Sequence, residues 1–232
     1  MALPQFKTQA LIAPAVPNLP LAPPGSDQQY LDQLNNVLRL YFNQLRNALG
    51  ELFTTNGGRF LSFPHVAASY NDDQYATAAN TPTIVKWNTF DSGSGFTLNA
   101  DNTATAQFSG IYKITYSLQF ANTDNAAHDA IVWLRVNGGA SANDVTNSTT
   151  IFTVPARKSA GIPSYVCGYS EVVFALNGGD TVGLWWGTDQ AATSGGATGL
   201  YILHEPAQTT PMAYPATPSA IGSITFVSGL PS

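Results

Sequence analysis

Between residues 31 and 52 the apolar positions Leu31, Leu34, Leu38, Tyr41, Leu45, Ala48 and Leu52 succeed one another at alternating steps of three and four. That is the a/d spacing of a helix that buries one stripe, and Tyr30, Val37, Phe42 and Leu49 widen it. Ser26 with Gln29 reads as a capping box, and Asp27 and Asp32 suit the positive end of the helix dipole. Gly50 and the run from Thr54 to Gly58 stop the helix near residues 49 to 53. An amphipathic helix is therefore expected over residues 26–53. So wide a stripe needs a partner, and the chain offers no second helix of this periodicity. It either packs on the chain's own β region or self-associates. Leu at both a and d with a broad flank favours more than two strands, so a parallel trimeric bundle is expected, with the seven stripe residues as its interface.

After a short linker, residues 54–63, the pattern changes to period two. Between Ile111 and Phe120, Tyr112, Ile114, Tyr116, Leu118 and Phe120 face one way, and Lys113, Thr115, Ser117 and Gln119 face the other. This predicts a half-buried strand. Val172, Phe174 and Leu176, then Asn177-Gly178-Gly179-Asp180, then Val182, Leu184 and Trp186 predict a hairpin. Further strands are expected at 65–70, 83–87, 96–98, 103–108, 130–136, 149–154 and 199–204. About ten short strands without intervening helices indicate a two-sheet antiparallel sandwich. Gly93-Ser94-Gly95 and Gly195-Gly196 read as turns.

The two ends differ from this middle. In residues 1–25, Pro4, Pro14, Pro17, Pro20, Pro23 and Pro24 hold the chain extended. No continuous apolar run remains there for a secretory signal. An arm like this makes no core of its own, so Leu11, Ile12, Val16, Leu19 and Leu21 are read as anchor residues that dock on something else. In residues 205–232, four prolines keep extended the approach to the short apolar patch Ile221, Ile224, Phe226 and Val227. The patch is read as a strand added to an exposed sheet edge of its own or a neighbouring subunit. This tail is too rich in Pro, Thr, Ser and Gly for a membrane span.

Composition narrows the function. Nine Lys and Arg against 14 Asp and Glu give a net charge of −5, which removes the attraction that supplies most non-specific nucleic-acid affinity. Neither nucleic-acid binding nor membrane insertion is expected. Cys167 is the only cysteine, so no disulfide or thiolate zinc cluster is expected, and it is read as a small buried hydrophobe.

Four segments carry a family resemblance: Phe108-Ser109-Gly110-Ile111-Tyr112 continuing to Leu118, Trp133-Leu134-Arg135-Val136-Asn137-Gly138, Leu176-Asn177-Gly178-Gly179-Asp180-Thr181-Val182, and Gly199-Leu200-Tyr201-Ile202. In this order they resemble the signature strands of the jelly roll shared by complement globular heads and tumour necrosis factors. The resemblance covers roughly residues 64–204 and implies a trimeric head. The expected fold is thus mainly β, an antiparallel jelly-roll β-sandwich preceded by an extended Pro-rich arm and one amphipathic trimerising helix.

The front of the chain is similar to something else. The Pro-rich arm, followed by Tyr30-Leu31-Asp32-Gln33-Leu34 and Leu40-Tyr41-Phe42-Asn43-Gln44-Leu45, resembles the amino-terminal anchor of virion structural proteins of tailed bacteriophages. That implies a non-enzymatic, homotrimeric virion component assembled in the host cytoplasm and exposed on the particle. Its partners would be the major capsid protein or tail and portal proteins. The absence of repeats or a long shaft favours a capsid decoration or cement protein, attached by arm and helix with the jelly-roll head outward. Two alternatives remain: a head or tail fibre knob recognising a host surface glycan, and a secreted carbohydrate-binding module.

Catalytic motifs are lacking. His65, His128 and His204 have no metal-ligand spacing, and there is no GxSxG, GxxxxGK[ST] or GxGxxG. Asp72-Asp73 and Asp124 with Asp129 are read as solvated loop carboxylates rather than calcium ligands or a glycosidase pair. No catalytic residue, metal or cofactor is expected. Trp185 and Trp186 must put one ring on each face of a strand, so one is core and the other lies at a subunit interface or stacks on sugar.

Overall fold

The helix predicted by the heptad spacing runs Gln28–Phe53 (α1). Its first turn is capped by Asp27, whose Oδ1 accepts the Tyr30 N–H at 3.3 Å. The expected cap, Ser26, lies outside the described residues. The computed structural model describes residues 24–25, 27–53 and 63–230, in two units, Met1–Ser62 and Phe63–Ser232. The anchor residues Leu11, Ile12, Val16, Leu19 and Leu21 and most of the linker fall outside the described residues.

The second unit is built from twelve strands. They are β1 (His65–Tyr70), β2 (Thr83–Ile84), β3 (Thr89–Ser94), β4 (Phe96–Leu98), β5 (Ala104–Ala106), β6 (Gly110–Asn122), β7 (His128–Val136), β8 (Thr150–Val154), β9 (Ser164–Leu176), β10 (Thr181–Thr188), β11 (Leu200–Ile202) and β12 (Ala220–Ser228). Sheet one holds β3, β1, β12, β6 and β9 side by side, with β11 continuing the row of β12 along β6. Sheet two holds β4, β5, β10, β7 and β8, with β2 beside β10. All strand pairs are antiparallel. The chain changes sheet at most of its connections, which makes the sandwich a jelly roll.

The core is the inward row of each strand. From β6 come Tyr112, Ile114, Tyr116, Leu118 and Phe120; from β7, Ala130, Val132 and Leu134; from β10, Val182, Leu184 and Trp186, all buried. Phe120 packs against Trp186 at 6.1 Å between ring centres and against Phe152 at 5.8 Å. Gly168 makes room for this cluster, because a Cβ there would stand 2.7 Å from the Phe120 ring.

Three expectations need correction. Residues 205–232 are not a separate tail: β12 pairs with β1 on one side and β6 on the other, an interior position rather than an added edge. The approach to it is not simply extended, since bridges Glu205 to Thr217 and Gln208 to Tyr214 fold it into a hairpin. Gly93 and Ser94 belong to edge strand β3, paired with Val66 and His65, and the turn is made by Gly95 at φ +72.

Candidate functional site

Three surfaces and one loop cluster carry the side chains that can act on another molecule. On α1, Leu34, Leu38, Tyr41 and Leu45 are half-buried together with Tyr30 and Val37, while Leu31, Leu40, Phe42 and Leu49 are exposed. Leu31 and Leu45 lie on one stripe, and the described residues contain no second α-helix to cover it. The side chains of the remaining stripe positions, Ala48 and Leu52, fall outside the described residues.

The outer face of sheet one is nearly free of charge. In β6, β9 and β12 only Lys113 and Glu171 are charged, and they pair with each other at 3.5 Å. Around them Tyr165, Tyr169, Val173, Ile221 and Val227 are exposed. Tyr169 and Ile221 flank Ser117 in one row across the three strands. Cys167 lies on this face, its Sγ 3.2 Å from Ser117 Oγ. The expectation of a buried cysteine fails because β9 starts at Ser164 and keeps strict alternation, so position 167 shares its face with Val173 rather than with Phe174.

On the outer face of sheet two, Trp185 stands opposite Trp133, and Arg135 opposite Gly183. Trp186 is fully buried on the other side of β10. Only 5% of Arg135 is exposed. Its guanidinium lies 4.4 Å from the centre of the Trp185 ring, its Nε donates to Asp144 Oδ1 at 2.5 Å, and a second nitrogen donates to the Gly139 carbonyl. Trp133 Nε1 donates to the same Asp144 oxygen at 2.7 Å. Beside the two tryptophans, Ile131 and Ile151 form an exposed cross-strand pair. The result is an aromatic and aliphatic belt with a carboxylate at one border.

The loop cluster surrounds His128. Nε2 lies 2.8 Å from Asp124 Oδ2 and Nδ1 3.0 Å from Asp189 Oδ2. Burial alone lowers the imidazole pKa, but hydrogen bonds and charge from Asp124 and Asp189 outweigh it and raise the pKa above its ordinary value. The His128 hydrogen bond holds Asp124 below the usual carboxylate range. Asp189 is partly desolvated, which works the other way, yet the same histidine holds it down too. With both nitrogens engaged, His128 has no free lone pair to serve as a general base.

The other candidates are dispersed. His65 Nδ1 meets the Phe63 carbonyl at 2.8 Å, and His204 Nδ1 meets that of Thr217 at 3.0 Å. Asp73 accepts the Tyr75 hydroxyl at 3.2 Å and the His204 N–H at 2.8 Å. Asp129 sits in β7, not in a loop, and accepts the Thr153 hydroxyl at 2.7 Å. Among the described residues no three His, Cys, Asp or Glu side chains are arranged to hold a metal ion, and no helix is long and apolar enough to cross a membrane. The alternation along β7 and β10 places the tryptophans; nothing in the sequence joined His128 to Asp189, 61 positions away.

No protein-family model matches the chain, and no curated protein matches it. Solved structures do. The globular domain of zebrafish complement 1qA protein is similar at 14% identity and a TM-score of 0.41, over 72% of this chain and 98% of that one. The Eiger TNF of S. frugiperda is similar at 12% identity and a TM-score of 0.46, over 73% and 96%. The likeness is one of fold.

Proposed function

We propose that this chain is a non-enzymatic structural protein of a bacteriophage particle, a homotrimer of the capsid decoration or cement type. The observation that carries the trimer is the α1 stripe: Leu31, Leu34, Leu38, Tyr41 and Leu45 recur at heptad spacing, and the described residues hold no second α-helix to pair with it. A second and third copy in parallel supply the missing cover, removing apolar surface from water at about 25 cal/mol per Å². The charge-poor outer face of sheet one supports the same reading, because it offers a broad surface to a like partner with little charge to desolvate. The particle reading is supported by the resemblance of the arm and helix to phage anchors, and three linked arms raise avidity for a repetitive lattice.

Light scattering of the intact protein tests the oligomer: three times the 24.6 kDa chain mass is expected, and a clean monomer at micromolar concentration ends the trimer. Removal of residues 1–25 should leave a trimer that no longer adds to particles lacking the protein. Particles purified from the producing host should carry the protein on their heads in electron micrographs. Its absence from them would overturn the virion role.

One observation favours a second reading, a glycan-binding knob. Trp133 and Trp185 lie side by side on the outer face of sheet two with Asp144 at their border, and aromatic faces next to a carboxylate suit the apolar and hydroxyl sides of a sugar ring.

A further inference from the structure

Four segments from both sheets meet around His128. Asp124 comes from the turn after β6, His128 and Asp129 open β7, Asp189 and Thr198 belong to the loop from β10 to β11, and Arg157 belongs to the loop from β8 to β9. The imidazole is 11% exposed and Asp124 25%, whereas Asp189 is 54% exposed, so water can take the ring's place at Asp189 more readily than at Asp124. Every other charged group facing it is already committed. Asp129 accepts from Thr153, and its backbone N–H donates to Asp189 Oδ1 at 3.2 Å. Arg157 donates its backbone N–H to the Asp124 carbonyl at 2.8 Å, and its guanidinium reaches the Thr123 carbonyl at 3.4 Å, not a carboxylate. Among the described residues the imidazole is therefore the only cation paired with Asp124 and Asp189.

A neutral imidazole owns one N–H and one lone pair. It can donate to one carboxylate and must then turn its lone pair toward the other, which is repulsive at about 3 Å. Only the imidazolium donates to both. We propose that His128 is a proton-operated clasp: protonated, it ties the β10 to β11 loop to the β6 to β7 turn, and on losing its proton it releases one of the two. The tie matters beyond the ring. Thr198 Oγ1 donates to Asp124 Oδ1 at 3.3 Å, and the Gly199 N–H donates to Thr123 Oγ1 at 3.1 Å, so the β11 end of the loop stays held while release of the Asp189 side loosens the stretch that follows β10.

The folded-state pKa is raised above 6.5. The clasp therefore contributes fully below that value and is lost as pH climbs through the folded pKa. The loop end of the sandwich is tight in mild acid and loose in mild base.

Hydrogen exchange and histidine NMR on the full chain, from about pH 5.5 to 9, test this. The His128 ring should titrate above 6.5. Protection at the Asp129 and Ala192 amides, corrected for the intrinsic pH dependence of exchange, should fall about tenfold in step with it, the size of one charge-assisted hydrogen bond, while the Gly199 amide, held by Thr123 Oγ1, should change less. In His128→Gln the Asp129 and Ala192 amides should be weakly protected at every pH. Asp189→Asn, a change at the more exposed partner that leaves the ring in place, should lower the ring's titration point and move the loss of protection with it. A ring that titrates at or below 6.5, or protection that ignores pH in the wild type, overturns the clasp.

Discussion

The Arg135 guanidinium lies over Trp185, 4.4 Å from the ring centre, while its Nε donates to Asp144 at 2.5 Å. The long connection from β7 to β8 is thereby latched onto the outer face of sheet two. Arg135→Lys keeps the charge but loses the planar fork that serves Asp144 and the Gly139 carbonyl together. Urea unfolding should show a loss of about 1.5–3 kcal/mol. An unchanged midpoint would mean the latch contributes nothing.

If α1 is the assembly seam, charge in its stripe should dissolve the trimer and spare the sandwich. Leu38→Asp with Leu45→Asp should shift the scattering mass from three chains toward one and leave the β-type circular dichroism intact. A double variant that stays trimeric would move the interface to sheet one.

Ala normally outranks Gly inside a strand by about 0.5–1 kcal/mol. At Gly168 the sign should reverse, because the new methyl meets Phe120 at 2.7 Å and Phe152 at 3.1 Å. The overpacking cost of about 1–3 kcal/mol outweighs the gain. Gly168→Ala should unfold at lower denaturant, with unchanged slope; a stabilised variant would show that the rings yield freely.

Asp180 closes the β9 to β10 turn. Its Oδ1 accepts the Asn137 side-chain amide at 2.8 Å and its Oδ2 the Asn177 N–H at 2.7 Å. The Asn137 amide chiefly, and then the Asn177 contacts, hold its pKa below 3.8 against partial burial. Its contribution is therefore present above the ordinary carboxylate range and lost as pH falls through the depressed folded value. Asp180→Asn should flatten the dependence of stability on pH below about 4, and identical acid melting curves for the two proteins would refute this.

Backbone amides of Ile224 and Phe226, interior to sheet one, should exchange far more slowly than those of Thr210 and Met212 at the hairpin tip. Equal rates would place β12 outside the sheet.

How much of this could be read from sequence follows from parity. Strict alternation from Ile111 to Phe120 assigns the faces of β6, which runs one residue further at its start and two at its end, and the same rule carried back from Phe174 puts Cys167 outside. The general tendency of a free cysteine to be buried points the other way, and parity along β9 overrides it. β12 carries a fainter mark. Its inward positions are Ala220, Gly222, Ile224 and Phe226, and the Trp87 ring occupies the space a side chain at 222 would fill. Its outward positions include Ile221 and Val227, so apolar residues appear on both parities. β3 has the composition of a turn and pairs on one side only. The tryptophans on opposite faces of β10 are legible; the partners of His128 and Arg135 are set by loops that local patterns do not describe.

The place of β12 governs the order in which the molecule can be made. Its partner β1 precedes it by about 160 positions, as the pairing of His65 with Thr225 shows. Until residue 220 leaves the ribosome, β1 and β6 face each other across an empty slot, each with an unpaired row of amides and carbonyls. Sheet one is therefore completed only after translation has passed the hairpin, although β1 with β3 and β6 with β9 can pair earlier, and the long separation of its central pairings predicts slow folding.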